Sequence, residues 1–353
     1  MKAAFVIDEK RPDGNYKTAI REIDKPVLKP NQVMLKNKYV GICGSDLHVF
    51  TGQHAFRHPP VILGHEMSGE IVEVGSAVTK FKVGDRVTVD PTIPCGECSC
   101  CKNGLPNLCT HRQAPGTGDW IGCFAEYFPA DEVCVHKLAD TTPYDIGALT
   151  EPMSIGCHVL SRIQSTKRDS MCILGAGTIG LSVLYLAKLA GFQKILVSDI
   201  APYNLSMAKE FGATVCINPM EQDLDKAVQE MTGGEGVDVT VDAAGAPGGL
   251  NSASINTRRG GEIVVVAMAT RPQEFVSYNI VFREQTIRAS QLELPEDFQA
   301  SLDIINNPAN HAMLRKFITH CLPMEEVETG LELLTKRGEK KDIKILIQVD
   351  KNA

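Results

Sequence analysis

Between Ser170 and Val266 the chain alternates short apolar runs with helical stretches, and this rhythm restricts the fold more than any other feature. Ser170-Met171-Cys172-Ile173-Leu174 reads as a buried strand, followed by a glycine turn and an apolar helix over 179–190. Strand 194–199, helix 203–211, strand 214–217, helix 224–231 and strands 237–241 and 261–266 continue the pattern. Strands separated by helices predict parallel βαβ units wound on both faces of one sheet.

The turn after the first of these strands is Gly175-Ala176-Gly177-Thr178-Ile179-Gly180, a G-x-G-x-x-G sequence, and Asp199 ends the next strand. In that setting each residue has a physical task. The first glycine allows the tight turn, and the second lets the backbone approach a pyrophosphate at the helix N-terminus. The third lets helix and strand pack closely. The expected dinucleotide contacts are Gly175, Gly177, Thr178, Ile179, Gly180 and Asp199, with Asn204 where a basic residue would otherwise stand. Asp199 accepts hydrogen bonds from ribose hydroxyls and repels a 2′-phosphate, which favours NAD over NADP.

Residues 1–152 read differently, as short β-rich runs broken by Gly and Pro, among them Gln32-Val33-Met34-Leu35 and Asp85-Arg86-Val87-Thr88-Val89. Such spacing predicts a small antiparallel β-barrel with long loops. After residue 289 helical segments return, and Ile343-Lys344-Ile345-Leu346-Ile347 reads as a closing strand.

The chain carries twelve cysteines in 353 residues, five of them between Cys95 and Cys109. A disulfide framework needs an oxidising compartment, whereas clustered thiolates in a reducing one bind metal. The N-terminal apolar stretch is too short for an export signal, so metal binding in a cytoplasmic protein is the expectation. Cys95, Cys98, Cys101 and Cys109 follow C-x2-C-x2-C-x7-C, which suits one tetrahedral structural zinc; Cys100 breaks the spacing and is the spare thiol. Cys172, Cys216 and Cys321 lie in apolar runs and read as small core residues. Lys and Arg total 36 against 43 Asp and Glu, a net charge of -7. That disfavours nucleic acid and anionic membranes as partners. No run approaches the roughly 18 apolar residues of a membrane span.

A second metal site is legible in Gly41-Ile42-Cys43-Gly44-Ser45-Asp46-Leu47-His48 and Gly64-His65-Glu66. A thiolate, an imidazole and a carboxylate are the ligand types of a zinc that keeps a position open for water or substrate.

Taken together, the chain resembles the zinc-containing branch of the medium-chain dehydrogenase/reductase superfamily from end to end. The densest match is Gly64-His65-Glu66-x2-Gly69-x5-Gly75-x8-Gly84-Asp85-x-Val87. The four-cysteine loop, Glu151-Pro152, the Gly175 fingerprint, Gly236-Val237-Asp238-Val239 and Arg259-Gly260-Gly261 extend it. The resemblance implies an α/β protein with a GroES-like β-barrel catalytic domain over 1–152 and 290–353. A Rossmann cofactor domain over 153–289 would be inserted in it, with substrate in the cleft between. It implies two zinc ions per chain. Cys43, His65 and Glu66 would hold the catalytic one, with Glu151 as a direct or water-mediated fourth ligand. Asp46 would orient His65. Ser45 would pass the substrate's proton, through a cofactor ribose hydroxyl, to His48. The implied activity is hydride transfer between a secondary alcohol (a polyol, sugar or sugar acid) and NAD, giving a ketone. A homodimer or homotetramer is implied as well.

Glu151 in place of a cysteine resembles the polyol and threonine dehydrogenases rather than the simple alcohol dehydrogenases. The chain departs from the sorbitol dehydrogenase pattern at Val49 and at Gln291-Leu292-Glu293. Threonine-like amino-alcohol oxidation, simple alcohol oxidation and non-catalytic NAD binding are the competing readings. Trp120 either walls the substrate cleft or packs. Arg57, in the loop after His48, either receives a carboxylate or phosphate or is a solvated cation.

Overall fold

The computed structural model describes all residues except 270, 271, 273, 336–340 and 353. The chain divides into two compact units. One comprises Met1–Glu151, Phe298–Lys336 and Lys344–Ala353; the other comprises Pro152–Asp297 and Arg337–Ile343.

The first unit is built from β1 (Lys2–Lys10), β2 (Tyr16–Glu22), β3 (Gln32–Gly41), β4 (Val61–Ile62), β5 (Glu66–Val74), β6 (Arg86–Val89), β7 (Tyr127–Asp131) and β8 (Val135–Lys137). The second unit holds β9 (Ser170–Leu174), β10 (Lys194–Ser198), β11 (Val215–Ile217), β12 (Val237–Asp242), β13 (Thr257–Val265) and β14 (Thr286–Ala289). The chain then returns to the first unit for β15 (Ile318–Pro323) and β16 (Lys344–Gln348).

In the first unit β2, β1 and β4 form one sheet, and β15-β16-β3-β5-β6-β8 form a larger one in which β7 also pairs with β3. Every pairing is antiparallel except β15 with β16. Val33, Leu35, Val40, Met67, Ile71, Val87, Ile345 and Ile347 line its core. The register brings three strand ends together: Gly41 of β3 lies opposite Glu66 at the start of β5 and opposite Leu346 of β16. Cys43, His65, Glu66 and Lys344 all flank that point. Cys321 departs from the core reading: it is exposed. β15 is the edge strand of its sheet, so one side of it has no neighbour to cover it.

The second unit is a six-stranded parallel sheet in the order β11-β10-β9-β12-β13-β14. All of β9 and β12 is buried. Covering both faces is what a parallel sheet requires, and it explains the unbroken apolar text of these strands. The order reverses between β9 and β12, which makes their C-terminal ends the switch point of the sheet. A helix at Gly249–Asn256 crosses over between β12 and β13. It escapes sequence reading because Ser254 and Asn256 are buried in it beside Ala253, so no apolar stripe stands out.

Gly175, at φ +96°, turns the chain out of β9; a Cβ there would come within 3.0 Å of the Ala244 nitrogen just beyond β12. At Gly180 a Cβ would lie 1.9 Å from the Gly175 carbonyl oxygen, whereas at Gly177 it would meet nothing within 4 Å. Gly177 has φ -73°, which any residue tolerates. The two glycines therefore differ in kind. Gly180→Ala is expected to lower unfolding free energy by about 1–3 kcal/mol through overpacking, and Gly177→Ala by less than about 0.5 kcal/mol. Urea titration of both variants checks this; equal losses would contradict it.

Candidate metal centres and nucleotide turn

The ligand atoms of Cys43, His65 and Glu66 lie within 4.8 Å of one another. Cys43 precedes the helix Gly44–Phe50, and its backbone N–H donates to Asp46 Oδ2 at 3.0 Å. Asp46 Oδ1 accepts from the Gly64 N–H at 3.3 Å and stands 3.8 Å from His65 Nδ1. Asp46, fully buried, thus ties the two ligand segments together chiefly through their backbones. The gap to His65 is in ion-pair range but too long for a hydrogen bond, and His65 Nδ1 is buried without a hydrogen-bond partner.

Glu66 has a partner absent from the sequence reading. Lys344 Nζ donates to both its carboxylate oxygens at 2.7 Å and to the Ile42 carbonyl at 3.1 Å, and both side chains are buried. A Cβ at Gly41 would sit 1.9 Å from Glu66 Oε2, so a glycine there leaves the carboxylate its space. The signal for Lys344 is in the sequence. A lone lysine in an apolar strand, two residues from buried Leu346, shares that residue's inward face.

Glu151, in the first turn of the helix Thr150–Ser161, stands outside the set of three but shares its electrostatics. Burial pushes its carboxyl up to about 8, and the charges of Glu66 and Cys43 add to this against the opposing effect of His65. Burial and the Glu66 charge likewise push the Cys43 thiol up to about 11. Burial disfavours the Lys344 ammonium, yet the charges of Glu66 and Cys43 raise its pKa above the ordinary value. Burial thus favours the protonated Cys43 thiol and Glu151 carboxyl, while Glu66 and Lys344 balance as an ion pair. A divalent cation at this point would reverse that preference, since it induces an ionised thiol.

Ser45 and His48 lie three residues apart on the helix Gly44–Phe50, hence on one face. Ser45 Oγ is buried without a hydrogen-bond partner.

Cys95, Cys98, Cys101 and Cys109 form the other group of mutually close ligand atoms, and Cys100 is not among them. Cys98 Sγ is 3.5 Å from Cys101 Sγ, and Cys95 Sγ is 4.0 Å from it. Those separations are far beyond a disulfide. They bracket the roughly 3.8 Å edge of a tetrahedron with metal–sulfur bonds of about 2.3 Å. Backbone N–H groups of Cys95 and His111 donate to Cys109 Sγ, and that of Cys98 donates to Cys95 Sγ. Such donors favour thiolate: those reaching Cys98 pull it down to about 6, and those on Cys109 lower it too.

In the other unit, Asp199 Oδ2 accepts from the Ala176 N–H at 2.6 Å, within the glycine turn, and Oδ1 from Ala201 N–H at 2.8 Å. Asn204 Nδ2 reaches Oδ2 at 3.4 Å. The acid is held at the lip of the turn formed by Gly175, Gly177, Thr178, Ile179 and Gly180.

Two undecided residues are settled. Trp120 is packing: its indole N–H donates to the Pro129 carbonyl at 2.8 Å and its ring stacks on Phe128. Arg57 is not a solvated cation, being only 8% exposed.

Residues 29–140 match the alcohol dehydrogenase GroES-like domain, and residues 178–307 match the zinc-binding dehydrogenase family. A sorbitol dehydrogenase of Bacillus subtilis (strain 168) is 39% identical over 266 residues, 74% of this chain and 75% of that protein. A D-arabitol-phosphate dehydrogenase of Enterococcus avium is 35% identical over 343 residues, 96% of each. The crystal structure of 2R,3R-butanediol dehydrogenase from Bacillus subtilis superposes with a TM-score of 0.88 at 31% identity, covering 99% of both chains.

Removing the cation beside Glu66 strands a buried carboxylate. In metal-stripped protein, Lys344→Met is expected to cost about 3–5 kcal/mol of stability, and adding Glu66→Gln to restore most of it. Denaturant melts of the single and double variants check this; a loss below about 1 kcal/mol would sink the assignment.

Proposed function

The chain belongs to the zinc-binding alcohol dehydrogenase family, and on that premise we propose that it oxidises a secondary alcohol of a polyol to the ketone with NAD. The observation that carries the reading is the convergence of a thiol, an imidazole and a carboxylate at Cys43, His65 and Glu66, with their ligand atoms within 4.8 Å of one another. Cys43, His65 and Glu66 would hold a catalytic zinc, with Glu151, outside their mutual 4.8 Å set, as a direct or water-mediated fourth ligand. Cys95, Cys98, Cys101 and Cys109 hold a second, structural zinc. The catalytic zinc when bound lowers the pKa of an alcohol toward neutrality, and NAD takes up the hydride.

The residues of this chain supply the rest. Ser45 Oγ, which is buried, would accept the alcohol proton as it releases its own, through a cofactor ribose hydroxyl, to His48 on the same helical face and on to solvent. Asp46 fixes the helix that carries both. The carbon–hydrogen bond breaks with its electron pair leaving as hydride, so each turnover yields ketone, NADH and one proton. Gly175, Gly177, Thr178, Ile179 and Gly180 receive the cofactor's pyrophosphate. Asp199, with Asn204 beside it, receives the ribose and selects NAD. Relatives named for neutral polyols and for a phosphorylated one leave the charge of the substrate open.

We further propose a homodimer or homotetramer assembled through the β14 edge. Tyr278 and Phe282 stack on each other there, and Val276, Tyr278, Val281 and Phe282 are more than half exposed. The setting proposed is the cytoplasm, whose reducing poise keeps clustered thiols free for metal. Among the described residues, no helix is long and apolar enough to cross a membrane.

Metal analysis is expected to find two zinc ions per chain in the wild type and in Cys100→Ser, but one in Cys98→Ser and one in Cys43→Ala. Initial rates on a panel of polyols are expected to show chelator-sensitive NAD reduction that NADP does not support. Ser45→Ala should lower kcat by about 10²–10⁴-fold. A folded, zinc-loaded sample that binds NAD but turns over no secondary alcohol would overturn the reading in favour of a non-catalytic cofactor-binding protein. A monodisperse monomer in light scattering at micromolar concentration would remove the oligomer.

A further inference from the structure

The loop between the helix Gly44–Phe50 and β4 carries a buried charge without a counter-ion. Arg57 is 8% exposed, and its Nε is buried with no hydrogen-bond partner. Among the described residues no carboxylate pairs with it; its one charge-type contact is the Phe56 ring, 5.9 Å away and itself exposed. Its two terminal nitrogens make no hydrogen bond to a described residue and are not buried, so the guanidinium keeps an accessible edge.

The neighbours of Arg57 do not supply the missing negative charge. Its backbone N–H donates to His54 Nδ1 at 3.0 Å, and the His54 N–H donates to the His48 carbonyl at 3.0 Å, so Arg57 is two hydrogen bonds from His48. Burial and then the charges of Arg57, His48 and His58 press on His54 and hold its imidazole neutral, with a pKa near 4. Since Nδ1 accepts two backbone N–H groups, the ring proton is on Nε2, which remains a donor. The acid that enters this field is Asp46, and its oxygens are already engaged by the Cys43 and Gly64 N–H groups. Arg57 Nε packs against Gly116, where φ is +79° and an added Cβ would lie 3.6 Å from it.

We propose that Arg57 is a specificity-determining residue that binds a terminal phosphomonoester of the substrate, making the preferred substrate a phosphorylated polyol. The inference rests on the dehydrogenase reading above and names its substrate class. A guanidinium presents paired N–H donors that match two oxygens of a phosphate, whose charge answers it more fully than the single charge of a carboxylate. The position follows from the chain path, since Arg57 is hydrogen-bonded through His54 to the segment that carries Ser45 and His48.

The test compares kcat/KM for pentitols and hexitols, their terminal monophosphates and the matching sugar acids in wild-type holoenzyme, Arg57→Met and Arg57→Lys. The wild type should favour the monophosphate over the neutral polyol by 100-fold or more. In Arg57→Met that ratio should collapse at least 50-fold, mainly through KM, and Arg57→Lys should fall between. Inorganic phosphate should raise the melting temperature of the wild type and compete with the monophosphate, and do neither in Arg57→Met. That variant, relieved of an unpaired buried charge, should melt no lower than the wild type without phosphate, so a merely structural arginine is distinguishable. Equal or better turnover of neutral polyols than of monophosphates would overturn the Arg57 assignment and leave the dehydrogenase reading standing. Preference for sugar acids would overturn the choice of phosphate. Turnover of none of the three would overturn the dehydrogenase reading, while phosphate stabilisation lost in Arg57→Met would still support an anion site at Arg57.

Discussion

The buried ion pair between Glu66 and Lys344 sits where three strands of the first unit end together, and the register of those strands depends on it. Gly41, Glu66 and Leu346 are ladder partners across β3, β5 and β16, and Lys344 is two residues before Leu346 on the same face. A slip of one residue in β16 would turn Lys344 outward and leave Glu66 facing Cys43 without compensation. At an effective dielectric of 20, two unit charges 4 Å apart interact by about 4 kcal/mol, which is a large fraction of the net stability of a domain. The pair therefore penalises the wrong register heavily, and it does so beside the ligand atoms of Cys43 and His65. The same geometry that secures the sheet keeps an appetite for a cation.

The parallel sheet and the cysteine loop are held by different forces. The parallel sheet of the second unit rests on apolar burial, with β9 and β12 wholly covered. The cysteine loop rests on almost none: its only regular structure is short turns at Ser99–Lys102 and Pro106–Leu108, and Leu105 and Leu108 are exposed. Its order comes from sulfur atoms gathered by backbone N–H donors. A metal joining four thiolates contributes to folding directly, as it does in other small metal-bound segments.

These forces also decide what could be read in advance. Strands buried on both faces announce themselves as apolar runs, so β9 coincides with the run Ser170–Leu174 and β12 extends the expected one by only a residue, to Asp242. Evenly spaced cysteines and the glycine turn are equally legible, because each spacing serves one geometric need. What stays hidden depends on polar groups that act through tertiary partners. The crossover helix Gly249–Asn256 buries serine and asparagine, and Lys344 is read as part of a strand until Glu66 is seen beside it. Cys321 looks like core from its neighbours and is exposed because β15 is an edge. Arg57 is polar and lies in a loop, which composition equates with solvent; only the fold around Gly116 and His54 shows it buried.

Residues 43–66 thus carry two sites with unmet partners. Cys43 and His65 gather ligand atoms beside Glu66, where His65 Nδ1 has no hydrogen-bond partner, and Arg57 has no counter-ion among the described residues. Neither relieves the other. Asp46, the acid between them in sequence, engages both its oxygens with the Cys43 and Gly64 N–H groups that set the backbone. Lys344 is fixed on Glu66 from the far end of the chain. Polar groups left without partners in a folded protein are pre-organised for something that arrives later. For the first that partner is a divalent cation. A ligand that bears a hydroxyl for the metal pocket and an oxyanion for Arg57 answers both at once, and a neutral polyol answers only one.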